Sequence, residues 1–156
     1  MKLIQIYLSS TSFGFFDFRH KNWKKKFMMA MHRYDFYLPY YNCNKVTFKY
    51  IDPLLEISNE AKIVNSDIDN MNNSDYIVVY LPKKLTIGTL MELTYGVIKY
   101  GSDKIILIDK TKIHRNHPWI KYWINLDNIA DNEYHAAYIL SRYISDKVSK
   151  IWKEEF

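Results

Sequence analysis

Cysteine occurs once in the 156 residues, at Cys43, and a single thiol excludes both an internal disulfide framework and a cysteine-built zinc site. A reducing compartment is implied. No apolar run approaches the roughly 20 residues of a membrane span, and the first residues lack the charged, apolar and small-residue order of a secretory signal. A cytoplasmic protein with no membrane attachment is therefore expected. Glycine is scarce too, at four positions, and they form neither a Gly-x-Gly-x-x-Gly fingerprint nor a Walker A loop. No Ser-His-Asp arrangement is recognisable in order and context. His114 and His117 lie three apart beside Arg115 and Pro118, but without a third ligand they make a poor metal site. Neither metal nor cofactor is expected.

Acidic residues are few at the start of the chain. Up to Tyr50 only Asp17 and Asp35 oppose nine Lys and Arg, so this third carries +7 of a net +5 and the remainder carries −2. Such a charge could meet nucleic acid or a phosphorylated small molecule, or could simply be a solvated helix face around Lys24, Lys25 and Lys26. What the chain does hold in quantity is apolar and aromatic surface. A hydrophobic share of 48%, a charged share of 25% and 14 Tyr argue for a folded core and against disorder. The length suits one domain over residues 1–156 that needs no disulfide or metal to be stable.

Periodicity orders the elements. Lys2 to Leu8 reads as a buried first strand, and a polar turn, Ser9 to Ser12 with Gly14 behind it, follows. From Arg19 onward Trp23, Phe27, Ala30, Met31 and Tyr34 recur at steps of three and four, the stripe of an amphipathic helix. Leu38 to Asn44 is a connection, and Lys45 to Ile51 alternates as a second strand. Asp52-Pro53 reads as a helix start, with Leu54, Ile57, Ala61, Val64, Ile68 and Met71 continuing one stripe. Tyr76 to Leu81 and Ile105 to Ile108 are apolar runs of the kind found in strands covered on both faces. The helix between them carries Leu93, Val97 and Tyr100 inward and stops near Gly101. After Lys110 the pattern is loop-like, with a short possible strand near Tyr122 to Asn125. Ala137, Leu140, Ile144, Val148 and Ile151 then mark a last helix.

Alternating strands and helices imply a mostly parallel sheet of four to five strands with helices on both faces, a doubly wound, flavodoxin- or Rossmann-like α/β fold. By analogy with such folds the expected strand order is 2-1-3-4, with a fifth strand at the edge. Their ligands bind at the carboxyl ends of the strands. There the loops Ser9 to Ser12, Pro82 to Thr89 and Asp109 to Lys112 would gather, with Gly88 and Thr89 presenting backbone N–H groups at a helix start that favours an anion such as phosphate. Glu92 follows in that helix, and the dipole would favour its ionised form. An ionised carboxylate can attack a sugar carbon that becomes oxocarbenium-like; a carboxylate near a helix start can equally be a plain surface residue.

Longer stretches narrow the choice. Asn65-Ser66-Asp67-Ile68-Asp69-Asn70-Met71-Asn72-Asn73-Ser74-Asp75-Tyr76-Ile77-Val78-Val79-Tyr80-Leu81-Pro82, continued by Gly88-Thr89-Leu90-Met91-Glu92-Leu93-Thr94-Tyr95-Gly96, resembles the nucleoside 2-deoxyribosyltransferase-like family. Its members pair an Asp-containing helix, a Ser/Asn-Asp step into an apolar strand, and a Gly-Thr-x-x-Glu-Leu-x-Tyr-Ala/Gly helix start. Ile6-Tyr7-Leu8 is similar to the family's first strand, and the likeness runs to about Asp109.

The resemblance implies cleavage of a nucleoside or nucleotide N-glycosidic bond, with Glu92 as the nucleophile that forms a glycosyl-enzyme ester. It casts Tyr7 as the group that orients or tunes Glu92, and Asp67 as a contact to the leaving base or an aid to its protonation. Six residues before the glutamate, base-exchanging members tend to carry Asp, whereas members that hydrolyse nucleoside 5′-monophosphates tend to carry a phosphate-binding Ser. Thr86 stands here, a hydroxyl with no negative charge, which favours a nucleotide. Ser9 and Arg19 would add phosphate donors. The loop Thr11 to Phe16 departs from the arginine- and glycine-rich loop of the monophosphate hydrolases, and Leu90 replaces a small residue common in them. Family members are generally dimers or larger, and the aromatic segment Trp119 to Trp123 is where a neighbouring subunit would contribute. Base exchange, a non-catalytic nucleotide-binding module and nucleic-acid binding through Arg19 to Lys26 are the alternatives.

Overall fold

The computed structural model describes residues 2–9, 18–35, 46–51 and 59–155. Five parallel strands, β1 (Lys2–Ser9), β2 (Val46–Ile51), β3 (Tyr76–Tyr80), β4 (Ile105–Ile108) and β5 (Ile129–Ala130), form one sheet in the order β2-β1-β3-β4-β5. Helices α1 (Phe18–Asp35) and α5 (Glu133–Glu155) cover one face, while α2 (Glu60–Asn72) and α3 (Ile87–Tyr100) cover the other. A short helix, α4 (Pro118–Trp123), lies between β4 and β5. The expected doubly wound architecture and strand order are observed. Among the described residues no helix is long and apolar enough to cross a membrane.

Strand side chains alternate between the two layers, as the two-residue repeat requires. Ile4, Ile6 and Leu8 of β1 join Trp23, Phe27, Ala30 and Met31 of α1 and Ala137, Leu140 and Ile144 of α5. Tyr7 points the other way, into a layer with Met71, Ile77, Val79, Leu93, Val97 and Leu107. β3 and β4 are almost wholly buried, which is why their sequences are continuous apolar runs rather than alternating ones.

The Ser74-Asp75 step ahead of β3 has a physical reason. Ser74 closes α2, its hydroxyl donating to the Asn70 carbonyl at 2.7 Å. The Asp75 carboxylate accepts from the Gln5 N–H at 3.0 Å, and the Asp75 N–H donates to the Gln5 carbonyl at 2.8 Å. This two-way clamp fixes the register that pairs Tyr7 with Ile77 and Ser9 with Val79. At the far end of α3, Gly101 adopts φ 71 and ψ −175, a positive-φ conformation that glycine takes readily and other residues rarely do. Gly96 serves packing instead: a Cβ there would lie 3.2 Å from Ile105 Cδ1 and 3.4 Å from Ile77 Cδ1, so its absence lets α3 sit close on the sheet.

Two expectations are corrected. The apolar stripe predicts one helix from Pro53, but α2 begins at Glu60. Asn59 is extended (φ −164, ψ 120) and caps the helix by accepting from the Lys62 N–H. Val64, which the stripe assigns inward, is 55% exposed. The segment around Tyr122 reads as a strand from its aromatics, yet it is α4, started by Pro118 behind an extended His117. The edge strand lies later, at Ile129–Ala130, too short to show a period. The turn from Ser10 to Gly14, the connection Leu38–Asn44 with Cys43, and Asp52-Pro53 lie outside the described residues, as do the side chains of Val148 and Ile151.

Candidate active site

Chain direction creates the site. From β1 the chain moves outward to β2 by way of α1, then returns across the sheet by way of α2 to β3 on the other side of β1. The crossovers diverge at the carboxyl ends of β1 and β3, leaving the crevice in which this class of sheet holds ligands.

Four of the expected residues meet there. Tyr7 and Ser9, two apart on β1, project to the same side, toward α2 and α3. Asp67, one turn before the buried Met71 on α2, is itself only 9% exposed, so it is not an ordinary surface carboxylate. Glu92, in the second turn of α3, is partly buried. The Ser9 hydroxyl donates a short hydrogen bond to Glu92 Oε2. Tyr7 is fully buried. Its hydroxyl lies within reach of both carboxylates, which act on it, yet it makes no hydrogen bond of regular geometry. Helix α3 is tied to the end of α2 by Tyr95, whose hydroxyl donates to Asn72 Oδ1 at 3.0 Å, and by Tyr100, which bonds to the same oxygen. That link helps fix Glu92 relative to Asp67.

The electrostatics differ from expectation. The helix dipole was to keep Glu92 ionised, but its carboxyl is pushed up from the usual 4.5 to about 7. Burial is the main cause and the nearby Asp67 charge adds to it. The Ser9 hydrogen bond, the positive charge of Lys24 on α1 and the Tyr7 hydroxyl pull the other way. The dipole effect fades within the first turn of a helix, and Glu92 lies beyond it. The Tyr7 phenol is held well above its usual range, by burial first and then by the Glu92 and Asp67 charges. It therefore stays a neutral donor at any working pH.

A scan of the chain against protein-family models finds no match, and a search of the curated proteins finds none.

The remaining expected residues take these places. Thr86 is the N-cap of α3, its Oγ1 accepting from the Thr89 N–H at 3.5 Å and lying 3.1 Å from the Thr89 hydroxyl. One hydroxyl hydrogen of this pair is used between them. Thr89 is buried, with 1% exposure. Gly88 is exposed, and a Cβ there would meet nothing within 4 Å, so the approach to the first turn of α3 is open. Arg19 lies in the first turn of α1, and its side chain is outside the described residues. His114 Nε2 bonds to the Pro82 carbonyl at 2.8 Å, joining the loop after β4 to the loop after β3.

Two contributions were missed. Lys24 reads from the sequence as part of a charge cluster, yet its positive charge acts on Glu92. Asp109, fully buried at the end of β4, accepts from the N–H groups of His114 and Arg115 at 3.1 and 2.8 Å and faces the Arg115 guanidinium at 3.6 Å. Arg115 extends to Asp131 at 2.6 Å. This network holds the loop that His114 fastens to Pro82. An acid directly abutting an apolar strand was its only signal in the sequence.

Proposed function

We propose that the protein cleaves the N-glycosidic bond of a nucleoside 5′-monophosphate, ribo or deoxy, through a glycosyl ester on Glu92. The observation that carries the reading is the grouping of Glu92, Asp67, Tyr7 and Ser9 at the switch point of the sheet. Residues 7, 67 and 92 are those that the resemblance to the nucleoside 2-deoxyribosyltransferase-like family singles out, drawn from three separate elements.

In the proposed reaction one Glu92 oxygen bonds to C1′ as the C1′–N bond breaks, its electron pair leaving with the base. The departing base takes up a proton from solvent with Asp67 assisting. Water then opens the ester, its hydroxyl going to C1′ and its proton to solvent, which releases sugar phosphate and restores the carboxylate. Burial strengthens each of these electrostatic interactions relative to water. The open first turn of α3 at Gly88 and the partly exposed Thr86 suit the phosphate. The exposed aromatic side of α4, with Trp119 at 68% and Tyr122 at 80%, suits a contact with a second copy. Sedimentation of the wild type and of a Trp119→Ala, Tyr122→Ala double variant tests that part.

The function is tested by incubating the protein with a panel of nucleosides and nucleoside monophosphates, with and without a free acceptor base, and separating the products. Free base and sugar phosphate are expected, and Glu92→Ala should abolish them. Incorporation of the acceptor base would select base exchange. Tight nucleotide binding that survives Glu92→Ala, without turnover by the wild type, would select a binding module.

A further inference from the structure

Glu92 has three rotatable side-chain bonds, and fixing such a chain costs on the order of 1.5–2 kcal/mol. One hydrogen bond to a charged group contributes about 1.5–3 kcal/mol, enough to offset that cost. Among the described residues Ser9 donates a short hydrogen bond to Glu92, through Oε2.

Ser9 is well placed to be rigid. It is completely buried, has a single side-chain torsion, and is locked in the sheet opposite Val79. Tyr7 stands on the same face, but its hydroxyl does not achieve a regular bond to either carboxylate. The Ser9 hydroxyl has one hydrogen, and Glu92 takes it, so Ser9 cannot at the same time donate to a phosphate.

We infer that Ser9 is a positioning residue, holding Oε2 of Glu92 so that Oε1 is the oxygen presented to the sugar carbon. The inference rests on the proposed glycosidase reading for what Glu92 attacks, but not for the contact itself. Among the described residues, the charged and titratable groups that act on Glu92 are Asp67 from α2, Tyr7 from β1 and Lys24 from α1. Of these and Ser9, Ser9 is the strongest influence toward the ionised form.

Ser9→Ala and Ser9→Thr test the assignment, the first removing the hydroxyl and the second keeping it. The Glu92 carboxyl is followed by carbon NMR across pH in protein labelled at glutamate and assigned with Glu92→Gln, a readout that requires no substrate. In Ser9→Ala the titration midpoint should rise by about one pH unit, while Ser9→Thr should stay near the wild type. On a nucleotide substrate, kcat of Ser9→Ala at pH 7 should fall about fivefold or more with KM unchanged, since a rise of that size cuts the ionised fraction from about one half to about one tenth. A Ser9→Ala midpoint that coincides with the wild type overturns the inference, as does a shifted midpoint with wild-type kcat. A shifted midpoint in a protein that turns over no nucleotide overturns the glycosidase reading and supports Ser9 as the residue that holds Glu92.

Discussion

Glu92→Gln should stabilise the protein at alkaline pH and leave it nearly unchanged in acid. The folded state raises the Glu92 carboxyl from 4.5 to about 7, so it binds that proton more tightly than the unfolded chain does. The stability linked to this group is therefore fully present below about pH 4.5 and is lost as pH climbs through about 7. At about 1.4 kcal/mol per pH unit the full difference is about 3 kcal/mol, and partial exposure of the side chain to water reduces it to roughly 2 kcal/mol. Glutamine keeps the shape and an oxygen that can accept from Ser9 but cannot ionise. At pH 8 the variant should be more stable by that amount, which for a chain of this size raises Tm by about 5 °C. At pH 4.5 the two proteins should melt together. Thermal or urea unfolding at both pH values makes the comparison. A difference that is equal at the two pH values, or a variant that is less stable at pH 8, refutes the claim that burial dominates the charge at this site.

Three other outcomes are expected. Tyr7→Phe removes a buried hydroxyl that lacks a regular partner, so urea unfolding should find it no less stable, and by up to about 1 kcal/mol more so, even as turnover falls at least about tenfold if the hydroxyl tunes Glu92. Asp67→Asn removes the charge that helps raise Glu92, and the acid limb of the kcat–pH profile should move to lower pH; a move to higher pH would contradict that coupling. Arg115→Ala leaves the fully buried Asp109 without its cation and should cost about 3 kcal/mol in chemical denaturation, with a loss below about 1 kcal/mol showing that the backbone N–H groups suffice.

The fold was legible where one physical constraint acts over many residues. The apolar runs of β3 and β4 follow from burial on both faces, and the stripe Trp23, Phe27, Ala30, Met31 from one-sided burial of α1. It was illegible where a single residue overrides a period. Asn59 interrupts a stripe that is apolar on both sides of it, and Pro118 starts a helix in aromatic sequence that reads as strand. Tyr7, Asp67 and Glu92 were recognised through motif resemblance, because no local period signals a carboxylate pair assembled from two helices. The Ser9–Glu92 bond spans 83 positions, and the burial that lifts Glu92 depends on how α3 seats on the sheet. Neither is written in a local pattern.

That seating turns on Gly96, one helical turn beyond Glu92. Two isoleucine methyl groups, from Ile77 on β3 and Ile105 on β4, occupy the space into which any other residue at 96 would project. The reach of the Glu92 carboxylate is thus governed by a methyl group that is absent one turn along its own helix. Positions 77, 96 and 105 consequently share one volume, and each constrains what the others can become. An alanine at 96 fits best beside a shorter side chain at 105, so sequence drift here should proceed in matched pairs, with the placement of Glu92 as the quantity conserved.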